Sequence, residues 1–504
     1  MSTRSTRPNP TTGPRRRGSN GASPTRPGAR APRPRAGEVE ASAAETSIPV
    51  PGSVAGARTR TAGGPGVRRR RGPDRVAPAG AGAADLLRPI VDRVLGRLGK
   101  PLPLHVRFWD GSVLAAGDPA APTVVVRAPE ALAHALRNTG ELGIARAWVL
   151  GLADLEGDVE DAITRGQELR GLRITARDKA AVLRAAIRLG AVRPAPLPEA
   201  EATVRGHRHD PESDSAAVQY HYDISNHFYR LVLGPSMVYS CAYFEGPEGE
   251  DDDLEAAQAR KLDLICRKLR LHEGERLLDV GCGWGSLVIH AARRYGVHAV
   301  GITASPAQAD LAQARVREAG LEDRVEIRVQ DYRDVDDGPF DAIASVGMYE
   351  HVGEAQLPTY AAKLFGLLRP GGRLLNHGIT RLHDGEQRQE TFTDRYVFPD
   401  GELHRLAVVV DVLEQAGLEV RDVESLREHY ARTLRAWSRN LATHRDEAVA
   451  DVGFQRERVW RLYMAASAAV FASGHISIVQ TLAVKPGAPH ELPPTRAHHL
   501  DARP

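Results

Sequence analysis

The segment LLDVGCGWGS (277–286) runs an apolar strand into three glycines, Gly281, Gly283 and Gly285, and no other segment restricts the fold as tightly. Glycines at that spacing let the backbone turn sharply and approach a ligand where a β-carbon would collide. Alone the signal is weak, because a tight strand-to-helix turn with no ligand has the same sequence. The residues that follow give it context. A helix from about Ser286 leads to the strand HAVGIT, a helix over 307–319, and the strands VEIRVQ and FDAIASVG. GRLLNHGI then follows the turn Pro370-Gly371-Gly372. Such alternation implies right-handed crossovers and a doubly wound, mostly parallel α/β sheet. ISIVQTLAVK reads as a last strand, added antiparallel at the edge. Ahead of the turn, the helix AAQARKLDLICRKLRL carries Leu262, Ile265, Cys266 and Leu269 on one stripe.

The pattern around the turn selects among nucleotide ligands. Asp279 lies just inside the first strand end, and Asp331 stands where VEIRVQD ends. A dinucleotide with free ribose hydroxyls calls for an acid near the end of the second strand. Here that strand ends in Thr303, Ala304 and Ser305, with Gln308 following, so neutral hydroxyl and amide groups must serve. There is no G-x-x-x-x-G-K-[ST] motif, which argues against a P-loop triphosphatase.

A second feature lies upstream. YHYDISNHFYRLVLGPSMVYSCAYF (220–244) holds seven aromatic residues in 25, in a chain that is only 5% aromatic. Charged and kink-prone residues interrupt them, so the stretch is neither a plain core helix nor a strand.

Composition divides the chain. Residues 1–80 carry 16 Arg and no Lys against four acids, about +12, which leaves about −9 for the remainder of a chain whose net charge is +3. Rich in Pro, Gly, Ser and Ala, this tail cannot bury enough apolar surface to order itself. Its arginine runs suit anionic lipid contact, and a solvated tail without a partner fits equally. Residues 84–195 read as a small α+β domain with a hairpin turning at Asp110-Gly111, residues 201–487 as the α/β domain that carries the glycine turn, and residues 488–504 as a flexible tail. Three cysteines without a C-x-x-C pair support neither a disulfide framework nor a structural zinc site, and no metal is expected. No apolar run reaches membrane-spanning length, so the chain reads as cytoplasmic, peripherally associated with the inner face of the membrane.

The glycine turn, the LLRPGG turn and the closing strand resemble the class I S-adenosylmethionine-dependent methyltransferase fold, Rossmann-like with a seven-stranded sheet. The aromatic stretch, VQDYRD, FDAIASVGMYEHVG, REHYARTLRAW and FASGHISIVQTLAV are similar to the cyclopropane-fatty-acyl-phospholipid synthases, a family that includes the mycolic acid cyclopropane synthases. The similarity covers 85–487.

The resemblance implies addition of a methylene across a cis double bond of an acyl chain, through a carbocation that a bound bicarbonate deprotonates. Its matched catalytic positions are Glu350, Cys241, His377, Ile379 and Tyr430, with His221 nearby. Cys241 and Ile379 act through their backbones, His377 and Tyr430 as donors, and Glu350 orients the ion. The matched positions for S-adenosyl-L-methionine are Tyr239, Ser240, Asp279, Gly281, Gly283, Gly285, Thr303, Ser305, Gln308, Asp331 and Tyr332. Read singly, most have plainer explanations. Cys241 suits a core, Tyr430 shares a helical stripe with Leu434, Trp437 and Leu441, and His377 ends an apolar strand. Glu350 resists that reading, since it follows an apolar strand directly.

The implied partners are unsaturated phospholipid acyl chains at a membrane surface, with no specific nucleic acid and a homodimer left open. One alternative keeps the methyl transfer but ends in a 10-methylene branch. Others are methylation of a small molecule and a catalytically silent lipid- or nucleic-acid-binding protein.

Overall fold

The computed structural model describes residues 82–500 apart from 139, 170–171, 173, 194–195, 202–223, 251–252, 383–390 and 400. The expected tail at 1–80 and His221 lie outside the described residues. The first elements build a small module: α1 (Ala83–Gly96), β1 (His105–Arg107), β2 (Val113–Leu114), β3 (Thr123–Val126), α2 (Glu130–Arg137), α3 (Glu141–Val149), β4 (Ala153–Glu156), α4 (Val159–Gln167) and α5 (Ala176–Arg188). Its sheet runs β2-β1-β3-β4. The hairpin forms as expected, because Gly111 supplies the positive φ of 81° that its turn requires. Trp148 links this module to the rest. Its Nε1 donates to the Arg458 carbonyl at 2.9 Å, and the Arg458 and Arg461 guanidiniums lie 4.1 and 4.6 Å from its ring centre.

The larger part begins with α6 (Asn226–Leu233) and α7 (Leu254–Lys268) and continues through β5 (Arg276–Val280), α8 (Ser286–Tyr295), β6 (His298–Thr303), α9 (Pro306–Glu318), β7 (Val325–Val329), β8 (Phe340–Val346), α10 (Leu357–Leu367) and β9 (Leu368–Arg381). After α11 (Phe392–Tyr396) come β10 (His404–Arg405), α12 (Leu406–Gln415), β11 (Glu419–Ser425), α13 (Arg427–Thr443), α14 (Arg445–Val452), α15 (Phe454–Ala472), β12 (Ile476–Val484) and α16 (Ala497–Leu500). The sheet order is β11-β12-β9-β8-β5-β6-β7, with β10 pairing beside β9. Strands β9, β8, β5, β6 and β7 are parallel, and β12 is antiparallel to both neighbours. The order reverses beside β5, so the crevice at the carboxyl ends of β5 and β8 is where a doubly wound sheet receives a ligand.

Three expectations are corrected. The last strand is not at the edge, because β12 lies between β9 and β11. β11 escaped the sequence reading because EVRDVES is half-exposed and charged rather than apolar. The two-residue β10 adds an eighth strand. Residues after 487, expected to be flexible, pack instead: Leu492 is buried and Arg496 bonds to Asp422.

Candidate active site

At the carboxyl end of β5 the backbone turns through Gly281, Gly283 and Gly285, with φ of 85°, 53° and 79°. The Gly281 and Cys282 amides both donate to the Ile302 carbonyl, at 3.0 and 2.9 Å, which staples the turn to β6. Together with the ends of β6 and β8 and the 237–240 segment, this turn walls a cavity of about 450 Å³. Nine of the eleven expected cofactor residues line it: Tyr239, Ser240, Asp279, Gly281, Gly283, Thr303, Gln308, Asp331 and Tyr332. The other two, Gly285 and Ser305, instead cap the N-termini of α8 and α9.

Polar groups on the second-strand side are largely satisfied. Thr303 Oγ1 donates to Gln308 Oε1 at 2.7 Å, and Ser305 Oγ accepts from the Gln308 amide at 3.2 Å. Asp331, expected to await a ligand donor, is already held by Arg333. Its Oδ1 accepts from Arg333 Nε at 2.8 Å and its Oδ2 from Nη2 at 2.6 Å. Burial works to raise the Asp331 carboxyl, but the Arg333 bonds outweigh it and leave it below the usual range.

The first-strand side is different. Asp279 is buried with Oδ1 unpartnered, and burial pushes it up to about 7 against the pull of Lys261. Lys261, buried in α7, donates to Ser240 Oγ at 2.6 Å, and burial pushes it down to about 8. From the same helix Gln258 Nε2 reaches the Ser240 carbonyl at 2.9 Å. Sequence reasoning missed Lys261, Arg333 and the cavity residue Met348, while Trp284 fell within the matched stretch 279–285. A signal for Lys261 existed. Gln258, Lys261 and Lys268 share the spacing of the α7 apolar stripe, so three polar residues occupy a buried face.

The aromatic stretch resolves into packing as well as lining. Tyr229, on α6, lies 4.8 Å from Trp284 and 5.4 Å from Trp460 between ring centres, and Tyr239 lies 5.3 Å from Trp437. Tyr239 and Trp284 are therefore cavity walls braced by rings from α6, α13 and α15.

Among the described residues, the expected catalytic Glu350, Cys241, His377, Ile379 and Tyr430 do not belong to the cavity's lining. Glu350 follows β8 in a short 3-10 turn between the lining residues Met348 and His351. Its Oε1 accepts from the Ile379 amide at 2.7 Å, while its Oε2 is buried without a partner. Burial pushes Glu350 up to about 7, against the Ile379 bond. The approach of this turn to β9 depends on Gly378, where a β-carbon would fall 2.2 Å from the Tyr349 ring. His377 is fully buried with Nε2 unpartnered, and burial, with Lys261 and Lys268 nearby, pushes it well below the usual range. Cys241 Sγ lies 3.6 Å from the Leu426 carbonyl, and the Leu426 amide donates at 2.8 Å to Ile478, the cross-strand partner of Ile379. Burial pushes the Cys241 thiol up, so it is not a thiolate. Tyr430 packs 4.7 Å from Phe471 and 6.0 Å from Trp437. Glu350 thus meets Ile379 near the carboxyl end of β9, the strand that also carries His377, and Cys241 is linked to Ile379 through Leu426 and Ile478, whereas Tyr430 packs among Phe471 and Trp437. No metal motif was read in the sequence. In the structure Glu354, Glu402 and His404 bring one ligand atom each within 4.8 Å of one another, a spacing that exposed acids also reach without an ion.

A parallel sheet reversing at β5, a glycine turn at its switch point and an acid at the first strand end define a class I methyltransferase fold. The model of the mycolic acid cyclopropane synthetase family matches residues 209–481, and the chain belongs to that family. A probable fatty acid methyltransferase of Pseudomonas putida is 44% identical over 402 residues, covering 78% of this chain and 95% of the relative. The tuberculostearic acid methyltransferase UfaA1 of Mycobacterium tuberculosis is 34% identical over 420 residues, covering 79% and 92%. The solved cyclopropane synthase MmaA2 of Mycobacterium tuberculosis is 34% identical with a TM-score of 0.51, covering 54% of this chain and 98% of that one.

Proposed function

We propose that this protein uses S-adenosylmethionine to add a methylene across the cis double bond of an unsaturated phospholipid acyl chain, forming a cyclopropane ring. The observation that carries the reading is that Glu350, bonded to the Ile379 amide of β9, and His377, on β9, each keep a buried atom without a partner, Oε2 and Nε2. Native proteins rarely leave such groups unsatisfied without a functional reason. They suit a small oxyanion such as bicarbonate, one accepting from it and the other donating to it.

When bound, S-adenosylmethionine supplies the electrophilic methyl and bicarbonate the base that removes a methyl proton so the ring closes. Asp279 Oδ1 offers the cofactor an acceptor for its ammonium, and Lys261, beside Ser240, offers a cation for its carboxylate. Tyr239 and Trp284 line the cavity with aromatic rings suited to positive charge. Glu350, oriented by the Ile379 amide, fixes the base, and the Gly347 amide holds the end of β8 to the His377 carbonyl at 2.8 Å.

A bilayer substrate is supported by α5. Leu183 and Ile187 are 50% and 58% exposed on its outer face, flanked by exposed Arg177, Lys179, Arg184 and Arg188. Its one acid, Asp178, is turned inward onto Arg93 and Arg97. An apolar stripe edged with cations fits an anionic bilayer surface. No helix among the described residues is long and apolar enough to cross a membrane.

A second reading, ending in a methylene branch, draws on the two relatives named for fatty acid methylation, whose alignments extend well beyond the 209–481 match. One assay separates the two. Purified protein is given vesicles of cis-monounsaturated phospholipid and cofactor with a trideuterated methyl, and the acyl chains are analysed by gas chromatography and mass spectrometry. A ring-bearing product retaining two deuteriums is expected. An exocyclic methylene with two deuteriums would replace the ring reading, and no mass gain despite cofactor binding would overturn both.

A further inference from the structure

Behind His377 runs a line of buried polar groups that the reaction as described does not use. His377 on β9 and Gln480 on β12 are direct cross-strand partners. Gln480 Nε2 lies 2.9 Å from His377 Nδ1, and Lys268 Nζ, from α7, lies 2.7 Å from Gln480 Oε1. Lys268 is itself paired with Glu424 on β11. Lys268, Gln480 and His377 are each no more than 1% exposed, and the three meet from positions 268, 377 and 480.

The order of atoms admits one hydrogen-bond pattern. An ammonium only donates, so Lys268 requires an oxygen, and the Gln480 amide must turn Oε1 toward it. That turns the Gln480 NH2 toward His377. An NH2 group also only donates, so His377 Nδ1 must be the bare, accepting nitrogen. The reverse amide orientation would set NH2 against ammonium, two donors facing each other in a buried space. In a neutral imidazole the single proton then sits on Nε2. Burial and the two nearby lysines hold the ring neutral.

We infer that Lys268 and Gln480 are positioning residues that fix His377 as its Nε2–H tautomer, so that the site presents a hydrogen-bond donor there. The ligand atom facing His377 is consequently an acceptor such as an anion oxygen. A neutral His377 with its lone pair on Nε2 would repel such an oxygen, and an imidazolium would need a counter-charge that these partners do not supply. The assignment rests on the reading that His377 belongs to the reaction site, but the tautomer is measurable without turnover.

The test is 15N NMR of full-length protein carrying ring-15N histidine, with the His377 signals identified by their loss in His377→Gln. In the wild type, a protonated Nε2 and a bare Nδ1 are expected. In Gln480→Glu, a carboxylate faces Nδ1, and the proton should move to Nδ1 or the ring should become doubly protonated. In Lys268→Met the amide is no longer held, and a tautomer mixture is expected, with Lys268→Arg restoring the wild-type pattern. Turnover of Gln480→Glu should fall about 10–100-fold with cofactor Kd unchanged, the range usual when a partner that orients a working group is lost. A protonated Nδ1 in the wild type, or an unchanged tautomer in both Gln480→Glu and Lys268→Met, would overturn the inference. If the tautomer behaves as expected while His377→Gln keeps full turnover, the relay stands and the catalytic reading of His377 falls.

Discussion

Two carboxylates mark the two ends of this site and their surroundings differ. Asp331, on the cofactor side, is bonded through both oxygens to Arg333 and held below the usual carboxylate range. Glu350, off the cavity's lining, has one oxygen on the Ile379 amide and the other on nothing, and burial pushes it up to about 7. A satisfied acid stabilises a wall, whereas an orphaned one is a cost to the fold and marks a candidate binding site. The cofactor side is shaped by the glycine turn together with Asp279, Lys261 and Gln258, all within about 20 residues of it in the chain. The β9 end is shaped by buried polar side chains drawn from distant parts of the chain.

The sharpest way to break this contrast is at its glycines. Gly378→Ala places a β-carbon within 2.2 Å of the Tyr349 ring in a packed interior, so a loss of about 3 kcal/mol or more in denaturant unfolding is expected. Gly283 has open space around it and only its φ of 53° to lose, so Gly283→Ala should cost about 1 kcal/mol. Equal costs would mean that the two ends are built alike.

Next in size is Glu350→Gln. A carboxyl whose folded pKa of about 7 exceeds its unfolded value near 4.5 binds more protons folded than unfolded between those values. Its ionised form therefore lowers stability progressively as pH rises from about 4.5 to 7, and the penalty is complete above about 7. The variant should be more stable than the wild type by about 1–3 kcal/mol at pH 8, with most of that gain gone at pH 4. Turnover that needs ionised Glu350 should correspondingly rise with pH through about 7. A Glu350→Gln protein less stable than wild type at pH 8 would sink the claim of a strained acid. Asp331→Asn is the mildest case: its partly exposed pair should cost at most ~1 kcal/mol in stability, with a modest rise in cofactor Kd measured by calorimetry. A Glu350-sized gain from Asp331→Asn would erase the difference between the two acids.

How legible each end was follows from how it is built. The cofactor side was readable because its geometry is local: LLDVGCGWGS contains the strand, the turn and Asp279 within ten residues. The β9 end was reached only by resemblance, since Cys241, Glu350, His377 and Tyr430 share no spacing and all but Glu350 look like core when read alone. Lys261, Lys268 and Gln480 stayed hidden for a related reason. A polar residue on an apolar stripe passes for solvent-facing until tertiary packing supplies its partner, as Ser240 does for Lys261. β11 was missed because a half-exposed, charged strand lacks the apolar pattern by which strands are found.

The central claim is that cofactor capture and proton removal are done by separate ends of one site. It is tested most directly by measuring S-adenosylmethionine Kd and single-turnover product formation side by side in wild type and Glu350→Gln. The account predicts a Kd within about threefold of wild type and a rate reduced by about 10²–10⁴, the loss expected when the group that positions a general base is removed. A variant that turns over normally, or one that loses the cofactor together with the rate, would contradict it.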